Sequence, residues 1–281
     1  MLLDVGPDRL DVHQLGGGAG APLVMVCATA QPWVLWEPLA RAFARHVPVI
    51  GYDHPGLGVS EAGERPVTLS GLVEDAVAIL DALDVPSADL LGWSLGSAIC
   101  QELAAAHPDR VSSLTLWGAW ARTDAYQRAL FAAMRHPWTT GDLKTAVALL
   151  GLVFSPEALD DAAFADRMGA LLPALPDTTE AVDAVIAQWD ADLAHNATAR
   201  LGQIAAPTLV VAGERDIVTP PRHAHAVADA IPGARIEVLS GPGSSHALGL
   251  ERAEEFVPLV LGFLRDSATA GGRRNTAVAS T

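Results

Sequence analysis

The strongest chemical pattern in this chain is a serine between two glycines, in the segment Gly92 to Gly96 that reads Gly-Trp-Ser-Leu-Gly. The apolar run Ala88 to Trp93 predicts a buried strand, and the apolar spacing from Leu95 to Ala106 predicts a helix that begins directly after the serine. A side chain at either glycine would collide with the crossing elements of so tight a turn. The pattern therefore predicts that Ser94 is a nucleophile on a strained strand-to-helix turn; a serine that only caps the helix is the alternative.

A serine hydroxyl is a weak nucleophile at neutral pH and needs a histidine base, which is normally oriented by a carboxylate. Asp216 follows the apolar run Pro207 to Ala212 and would lie at the carboxyl end of that predicted strand. Glu214 is the nearest alternative acid, but it lies closer to the strand end. His246 ends a loop rich in glycine and serine, just before the C-terminal helix. Because the order serine, aspartate, histidine is the one used with such a turn, we expect Ser94, Asp216 and His246 to form a catalytic triad.

The charge of the chain argues against several classes of partner. Lysine and arginine together number 18 against 33 aspartates and glutamates, which gives a formal net charge of −15. No basic field is available to hold a nucleic acid or an anionic lipid surface, so we expect a small-molecule partner. Half of the residues are apolar, as is typical of a compact globular protein. The sequence does not indicate an oligomeric state.

Neither export nor membrane insertion is predicted. The segment Met1 to Leu10 is acidic and lacks the basic and apolar stretches of a secretory signal. Every apolar run is interrupted by charge, proline or glycine well short of the roughly 20 residues that span a bilayer. Cys27 and Cys100 lie in apolar runs and are expected to be buried free thiols in a reducing compartment. These features predict a soluble, cytoplasmic protein.

Short apolar runs alternate along the chain with segments of helical spacing, such as Leu69 to Leu83. Strands that alternate with helices form parallel crossover units, in which helices cover both faces of the sheet. We therefore predict an α/β fold, a three-layer sandwich around a mostly parallel sheet, with its core in residues 1–120 and 201–265. The predicted strands are Leu23 to Val26, Val47 to Tyr52, Ala88 to Trp93, Val111 to Trp117, Pro207 to Ala212 and Arg235 to Leu239.

The alternation lapses between residues 121 and 200, where segments rich in alanine and leucine predict several helices without strands. A helical insertion at the strand ends of an open α/β sheet would lie over the crevice where ligands bind. We therefore predict a helical cap over residues 121–200; a second helical layer without a gating role is the alternative. The small and polar tail, residues 266–281, is predicted to be disordered.

No metal site and no cofactor are predicted. His223 and His225 lie two residues apart on a predicted helix and so do not share a face that could bind one ion. The glycine-rich segment Gly16 to Gly20 precedes a strand and lacks a following Gly-Lys-Ser/Thr, so it does not match a phosphate-binding loop.

From about Pro22 to Arg265 the chain resembles the α/β-hydrolase superfamily. In addition to the serine turn, Tyr52 to Ser60 resembles the family's Asp-x-x-Gly-x-Gly-x-Ser loop, and Gly213 to Asp216 resembles its acid loop. Ser245-His246, followed by Leu250-Glu251, resembles the loop that carries the catalytic histidine. The resemblance implies the same sandwich fold and the same triad.

The resemblance also implies an oxyanion hole built from the backbone N–H groups of Thr29 and of Leu95, which follows the nucleophile. One departure affects this part of the site, because Cys27-Ala28 stands where family members usually have His-Gly. One oxyanion donor typically supplies about 3 to 4 kcal/mol, so an altered loop would weaken hydrolysis without abolishing it. Cys27 itself is not expected to be a nucleophile, because no strained turn surrounds it.

Within the family, the chain is similar to capped carboxylesterases and lactonases. A serine at the turn argues against haloalkane dehalogenases and epoxide hydrolases, whose turn carries an aspartate. A substrate pocket lined by Trp33, Trp93 and Trp120 would suit a bulky apolar or aromatic molecule, although each could also be an ordinary core residue. The expected function is hydrolysis of an ester or lactone of such a molecule through an acyl-enzyme on Ser94.

Other activities share the same residues and fold. Carbon–carbon bond hydrolases, thioesterases and cofactor-free haloperoxidases also use a serine nucleophile in this family. A non-hydrolytic protein, such as a ligand receptor, cyclase or pericyclase, is the alternative from another class. The Cys27-Ala28 departure is its only support in the sequence.

Overall fold

A continuous sheet of eight strands lies at the centre of the computed structural model, which describes residues 1–6, 8–18, 20–63 and 65–278, with side chains as far as residue 269. The strands are β1 Leu2–Val5, β2 Asp8–Leu15, β3 Leu23–Val26, β4 Val49–Tyr52, β5 Ala88–Trp93, β6 Val111–Trp117, β7 Thr208–Gly213 and β8 Arg235–Leu239. Their order across the sheet is β1-β2-β4-β3-β5-β6-β7-β8. Strands β3 to β8 pair in parallel, whereas β2 is antiparallel to both β1 and β4.

The predicted mostly parallel sheet is therefore confirmed, and each of the six predicted strands is present with ends shifted by two residues at most. The sequence patterns do not predict β1 and β2. Strand β2 reads Asp-Arg-Leu-Asp-Val-His-Gln-Leu, so charged residues interrupt the apolar signal. Its pairing with β1 and β4 is antiparallel, and the strands of an antiparallel sheet need only part of their side chains to be apolar.

Three helices belong to the first half of the core: α1 Glu37–Ala44, α2 Leu69–Ala82 and α3 Leu95–Ala106. Thr68 caps α2, because its side chain accepts a hydrogen bond from the Gly71 N–H at 3.1 Å. Helix α3 begins immediately after Ser94, so the predicted strand-to-helix turn is present.

Residues 121–200, which we call the cap segment, are described without gaps and contain five α-helices. Asp124, Asp142, Asp161 and Thr178 cap helices in this segment by accepting backbone N–H groups of the first turn. The two ends of the segment meet in a single antiparallel bridge between Arg122 and Asn196. The helices are α4 Ala125–Thr140, α5 Leu143–Leu150, α6 Pro156–Asp160, α7 Ala162–Leu171 and α8 Thr179–Ala194.

Three further helices follow the cap segment: α9 Pro221–Ala230, α10 Leu248–Glu251 and α11 Ala253–Val278. Helix α11 passes through residue 266 and continues to residue 278, whereas the sequence predicts a disordered tail from residue 266. The backbone between residues 266 and 278 is thus helical rather than irregular; residues 279–281 lie outside the described residues. None of the described helices combines the length and the apolar composition needed to cross a membrane.

Two buried clusters on opposite faces of the sheet complete the three predicted layers. Met25 of β3 packs with Phe43 of α1 and Phe256 of α11 in one cluster. Val24, the preceding residue, points to the other face, where Ile99 of α3 belongs to the second cluster. Since alternate residues of a strand face opposite sides, the continuous apolar run that predicts β3 serves both clusters.

Candidate active site

Ser94 lies on the turn between β5 and α3, with φ 53° and ψ −118°. This region is costly for a residue with a side chain, so the surrounding structure must hold it. A Cβ added at Gly92 would overlap the carbonyl oxygen of Gly96, and one added at Gly96 would overlap the carbonyl oxygen of Val26. The Ser94 N–H donates to the carbonyl of Trp117 on β6 at 2.9 Å. The two glycines therefore permit the tight turn, and the neighbouring strand fixes it.

Asp216 and His246 form a buried pair, with Asp216 Oδ2 2.7 Å from His246 Nδ1. Thr219 donates its hydroxyl to the same carboxylate oxygen at 2.8 Å. The second oxygen, Oδ1, accepts the N–H groups of Val218 and Thr219, each at 2.8 Å. The carboxylate thus receives hydrogen bonds on both oxygens, which fixes its orientation toward the imidazole.

The environment of Asp216 keeps its carboxylate ionised. Burial by itself would raise the pKa, but the charge and hydrogen bond of His246, with the hydrogen bonds of Thr219, outweigh burial and lower the pKa below its usual value. Glu214, the alternative acid, is exposed, and its Oε2 accepts the Gly241 N–H at 3.4 Å. The structure therefore pairs Asp216, rather than Glu214, with His246.

His246 lies beside the turn that carries Ser94. The Trp93 and His246 rings are tilted against each other with 5.4 Å between their centroids. Gly118 has φ 62°, and a Cβ added there would lie 2.7 Å from His246 Cε1. The imidazole thus lies between Trp93, which precedes Ser94, and Gly118, which follows β6 and has no side chain.

Thr29 and Leu95, the predicted oxyanion residues, are both buried. Among the described residues, neither of their backbone N–H groups donates a hydrogen bond to the protein. Free N–H groups at the first turn of a helix and in a loop are available for an anionic oxygen. The structure leaves both groups free to act as the sequence predicts, while their oxyanion role stays a prediction.

Cap helix α8 holds the loop that contains Thr29. The Thr29 hydroxyl donates to Asp192 Oδ2 at 2.6 Å, and the Ala30 N–H donates to Gln188 Oε1 at 2.9 Å. Ala30 has φ 61°, a left-handed conformation in which a side chain is uncommon. From the other side, the His54 ring nitrogen Nε2 lies 3.1 Å from the carbonyl oxygen of Cys27. The loop that departs from the usual His-Gly is therefore fixed by side chains from two other segments.

Sequence reasoning missed both Gln188 and Asp192. Their signal is their place on α8, because Val185, Gln188, Trp189 and Asp192 share one buried face of that helix. Polar residues on an apolar stripe need hydrogen-bond partners. Burial raises the pKa of Asp192 to about 8, and the hydrogen bond from Thr29 offsets this only in part.

The three tryptophans predicted to line a pocket are all buried in one hydrophobic cluster, where each has a different partner. Trp93 stacks on Trp117, with ring centroids 4.5 Å apart. Trp120 donates its indole N–H to Thr123 Oγ1 at 3.0 Å. Trp33 stacks on His13 at 5.4 Å. Each ring thus has its own packing or hydrogen-bond partner within this cluster, and a pocket lined by the three tryptophans stays a prediction.

One group of side chains in the described part of the chain has the spacing of a metal site. Ligand atoms of Asp11, His13 and Asp53 lie within 4.8 Å of one another. His13 Nε2 is 3.0 Å from Asp11 Oδ2, and Asp53 Oδ1 accepts the Trp33 N–H at 2.6 Å. The His13–Asp11 contact is one between two titratable side chains, and His13 Nε2 has no hydrogen-bond partner among the described residues; the predicted lack of a metal site stays a prediction.

Comparisons with known proteins agree with this architecture. A family model described as alpha/beta hydrolase fold matches residues 13–252. RutD of Azorhizobium caulinodans, named as a candidate carbamate hydrolase, is 29% identical over 249 residues, which cover 88% of this chain and 92% of that protein. BpoC of Mycobacterium tuberculosis, named as a candidate non-heme bromoperoxidase, is 30% identical over 253 residues, covering 88% of this chain and 94% of that protein.

Solved structures show the same likeness. The enol-lactonase from Burkholderia xenovorans LB400 superimposes with a TM-score of 0.85 and 25% identity, covering 94% of this chain and 100% of that one. The chain therefore belongs to the α/β-hydrolase family.

Proposed function

We propose that the protein is a serine hydrolase that cleaves an ester or lactone of a small, largely apolar molecule through an acyl-enzyme on Ser94. The observation that carries the proposal is the buried Asp216–His246 pair, joined at 2.7 Å, beside the strained turn of Ser94. A carboxylate, an imidazole and a serine in this relation are the parts that acyl transfer to water requires.

The first half of the reaction forms the acyl-enzyme. Because His246 Nδ1 faces Asp216, its other ring nitrogen is the one that can accept the proton of the Ser94 hydroxyl. Ser94 Oγ then attacks the substrate carbonyl carbon, and the backbone N–H groups of Thr29 and Leu95 bind the oxygen that becomes negative. Collapse of the tetrahedral intermediate breaks the bond to the leaving alcohol, which takes the proton from His246.

The second half releases the acid. A water molecule gives a proton to His246 and attacks the acyl carbon, and the resulting intermediate breaks the bond to Ser94 Oγ. The proton returns to the serine, so one ester and one water yield one acid and one alcohol. Throughout the cycle, Asp216 stays ionised and stabilises the protonated imidazole, as its lowered pKa permits.

The names of two of the similar proteins support an ester or lactone as the substrate. The structurally similar enol-lactonase is named for a cyclic ester, and the RutD relative is named for a carbamate, whose carbonyl also carries an oxygen substituent. All of these reactions replace a leaving group on a carbonyl carbon with water. The identities are between 25% and 30%, so these names support the type of bond that is cleaved and not one particular substrate.

The test is turnover of p-nitrophenyl acetate and of a small lactone by the native protein and by Ser94→Ala. Ser97→Ala is the matched control, because Ser97 is a buried serine one turn further along α3 whose hydroxyl has no partner among the described residues. We expect the native protein and Ser97→Ala to hydrolyse the ester and Ser94→Ala to lose the activity. A folded native protein that cleaves neither substrate would favour the non-hydrolytic receptor or cyclase instead.

A further inference from the structure

An apolar cavity of about 170 Å³ lies inside the cap segment. Its walls come from α5, α6 and α7 and from the loop that follows Thr29, through Gln31 and Leu35. Among the described residues of the lining, Gln31 is the only one with a polar side chain, and its Oε1 accepts the indole N–H of Trp36 at 2.8 Å. The remaining lining offers a ligand no hydrogen bond from a side chain, so the cavity suits an apolar group.

The cavity adjoins both loops of the proposed active site. Gln31 is two residues after Thr29 and belongs to the loop that would hold the oxyanion. On the other side, the carbonyl of Val153 accepts the N–H of Ala247, the residue after His246, at 2.8 Å. Val153 itself lines the cavity. The cavity therefore borders both the loop that contains Thr29 and the loop that contains His246, so a chain attached to a carbonyl between these residues could extend toward it.

The rim of the cavity is exposed and apolar. Leu159 and Leu172 both line it, and they are 50% and 51% exposed. Large aliphatic side chains at the mouth of a concave apolar site are typical of a ligand entrance. Met168, also in the lining, is a flexible side chain that can adapt to the shape of a ligand.

The volume sets the size of the ligand group. An apolar cavity of about 150 Å³ stays dry and binds benzene, a molecule of about six carbons. The present cavity, at about 170 Å³, has room for a group of the same size. The lining is mostly leucine, valine and methionine, which contact a flexible alkyl chain as readily as a ring.

We infer that this cavity binds an unbranched alkyl arm of about six carbons on the substrate. The inference rests on the proposed function and adds the substrate class: a medium-chain ester or lactone rather than an acetate or a bulky fused aromatic. The arm can belong to the acyl half or to the alcohol half of the ester, and the experiment separates the two.

The experiment measures kcat/KM in two ester series. The acyl series consists of p-nitrophenyl acetate, butyrate, hexanoate and benzoate. The alcohol series consists of ethyl, butyl and hexyl acetate, and its turnover is measured by the release of acid. We expect one series to gain up to about fourfold per added methylene until six carbons, since each buried methylene is worth ~0.8 kcal/mol. The benzoate ester should gain less than the hexanoate.

Two variants on α5 connect the preference to the cavity. Val147 lines the cavity, whereas Ala148 is exposed and does not, so Val147→Phe fills the space and Ala148→Phe is its matched control. We expect Val147→Phe to reduce the hexanoyl-to-acetyl or hexyl-to-ethyl ratio at least tenfold, since transfer of the arm is lost, and Ala148→Phe to leave this ratio within about twofold. A ratio that changes equally in both variants, or no length preference in either series, overturns the inference.

A binding measurement keeps the inference testable if no ester is cleaved. Calorimetric titration of the Ser94→Ala protein with hexanamide and with acetamide reports occupation of the cavity without any reaction. We expect hexanamide to bind at least tenfold more tightly than acetamide, and Val147→Phe to remove the difference. Tighter binding of hexanamide without ester turnover would support the cavity assignment and contradict only the proposed function. Equal weak binding of both amides in a folded protein would contradict the cavity assignment.

Discussion

The hydroxyl of Thr29 donates to Asp192 Oδ2 at 2.6 Å and so joins the proposed oxyanion loop to cap helix α8. Asp192 is fully buried, and its second carboxyl oxygen has no partner among the described residues. The pKa of about 8 means that this carboxyl is mostly protonated at neutral pH. A neutral, buried carboxyl next to the loop gives a pH-dependent link between cap and active site.

The first prediction concerns stability and pH. Burial raises the pKa of Asp192 from 3.8 to about 8. Between pH 3.8 and about pH 8, the carboxyl of Asp192 is therefore protonated in the folded state and ionised in the unfolded state. The stability contributed by the protonated carboxyl is therefore present below about pH 4 and is lost as pH rises to about 8, by at most ~1.4 kcal/mol per pH unit. Asp192→Asn carries no such proton and should lose this dependence.

Urea unfolding of the native protein and of Asp192→Asn at half-unit steps from pH 4 to pH 9 checks this. The difference in unfolding free energy should shift in favour of Asp192→Asn as pH rises and become constant above about pH 8. A difference that stays level across the whole range would show that Asp192 ionises normally in the folded protein.

The second prediction concerns Gln188, which accepts the Ala30 N–H at 2.9 Å. Gln188→Leu removes the acceptor, so the left-handed Ala30 turn loses its support and the neighbouring Thr29 N–H loses its fixed direction. We expect kcat to fall by about tenfold or more with a smaller change in KM, because a displaced donor acts mainly on the transition state.

Asp183→Ala, an exposed change on the same helix, is the matched control, and Gln188→Glu, which retains an acceptor oxygen, should recover part of the rate. Steady-state kinetics with p-nitrophenyl acetate give kcat and KM separately. If KM rises while kcat is unchanged in Gln188→Leu, the residue contacts substrate rather than the loop.

The third prediction uses Gly118, whose added Cβ would lie 2.7 Å from His246 Cε1. Gly118→Ala should displace the imidazole and lower kcat by about 10²-fold, the loss typical of a misplacement of about 1 Å. Gly141→Ala is a control with the same kind of backbone strain: Gly141 has φ 72°, but nothing lies within 4 Å of its added Cβ.

Both alanine variants should lose about 1 to 2 kcal/mol of stability through the left-handed backbone, and only Gly118→Ala should lose activity. Melting temperature and kcat measured on the same samples separate the two effects. Equal activity in the two variants would show that His246 tolerates the added methyl group.

The fourth prediction distinguishes the two candidate acids. Asp216→Asn keeps the shape of the side chain but removes the charge that stabilises the protonated imidazole, and we expect a fall in kcat of about 10⁴-fold. Glu214→Gln should stay within about twofold, since Glu214 is exposed and contacts Gly241 rather than His246. Ester kinetics on both variants decide the assignment, and a large loss in Glu214→Gln would reverse it.

The parts of this fold that could be predicted are those encoded by local sequence patterns. The serine turn, the six parallel strands and the helix after Ser94 are each encoded within about ten neighbouring residues, through apolar runs and glycine positions. The positions of Asp216 and His246 also follow from sequence, because each comes directly after a strand whose carboxyl end lies at the same edge of the sheet.

Contacts between distant segments account for what was missed. Thr29 and Asp192 are 163 residues apart, and Ala30 and Gln188 are 158 apart, so no local pattern pairs them. Strand β2 gives a weak apolar signal because Asp8, Arg9 and Asp11 interrupt its apolar residues, although both aspartates are buried. The three tryptophans lie in one buried cluster, but their ring partners come from distant parts of the chain, so their sequence positions do not predict these contacts.

The most direct test of the central claim is the mass of the intact protein after brief mixing with excess p-nitrophenyl hexanoate and acid quench. A covalent acyl-enzyme on Ser94 predicts one added hexanoyl group in the native protein and in Ser97→Ala, an accompanying burst of one equivalent of nitrophenol, and neither signal in Ser94→Ala. Equal rates of nitrophenol release by the native protein and Ser94→Ala, or a hexanoyl group on Ser94→Ala, would contradict a mechanism in which Ser94 is the nucleophile.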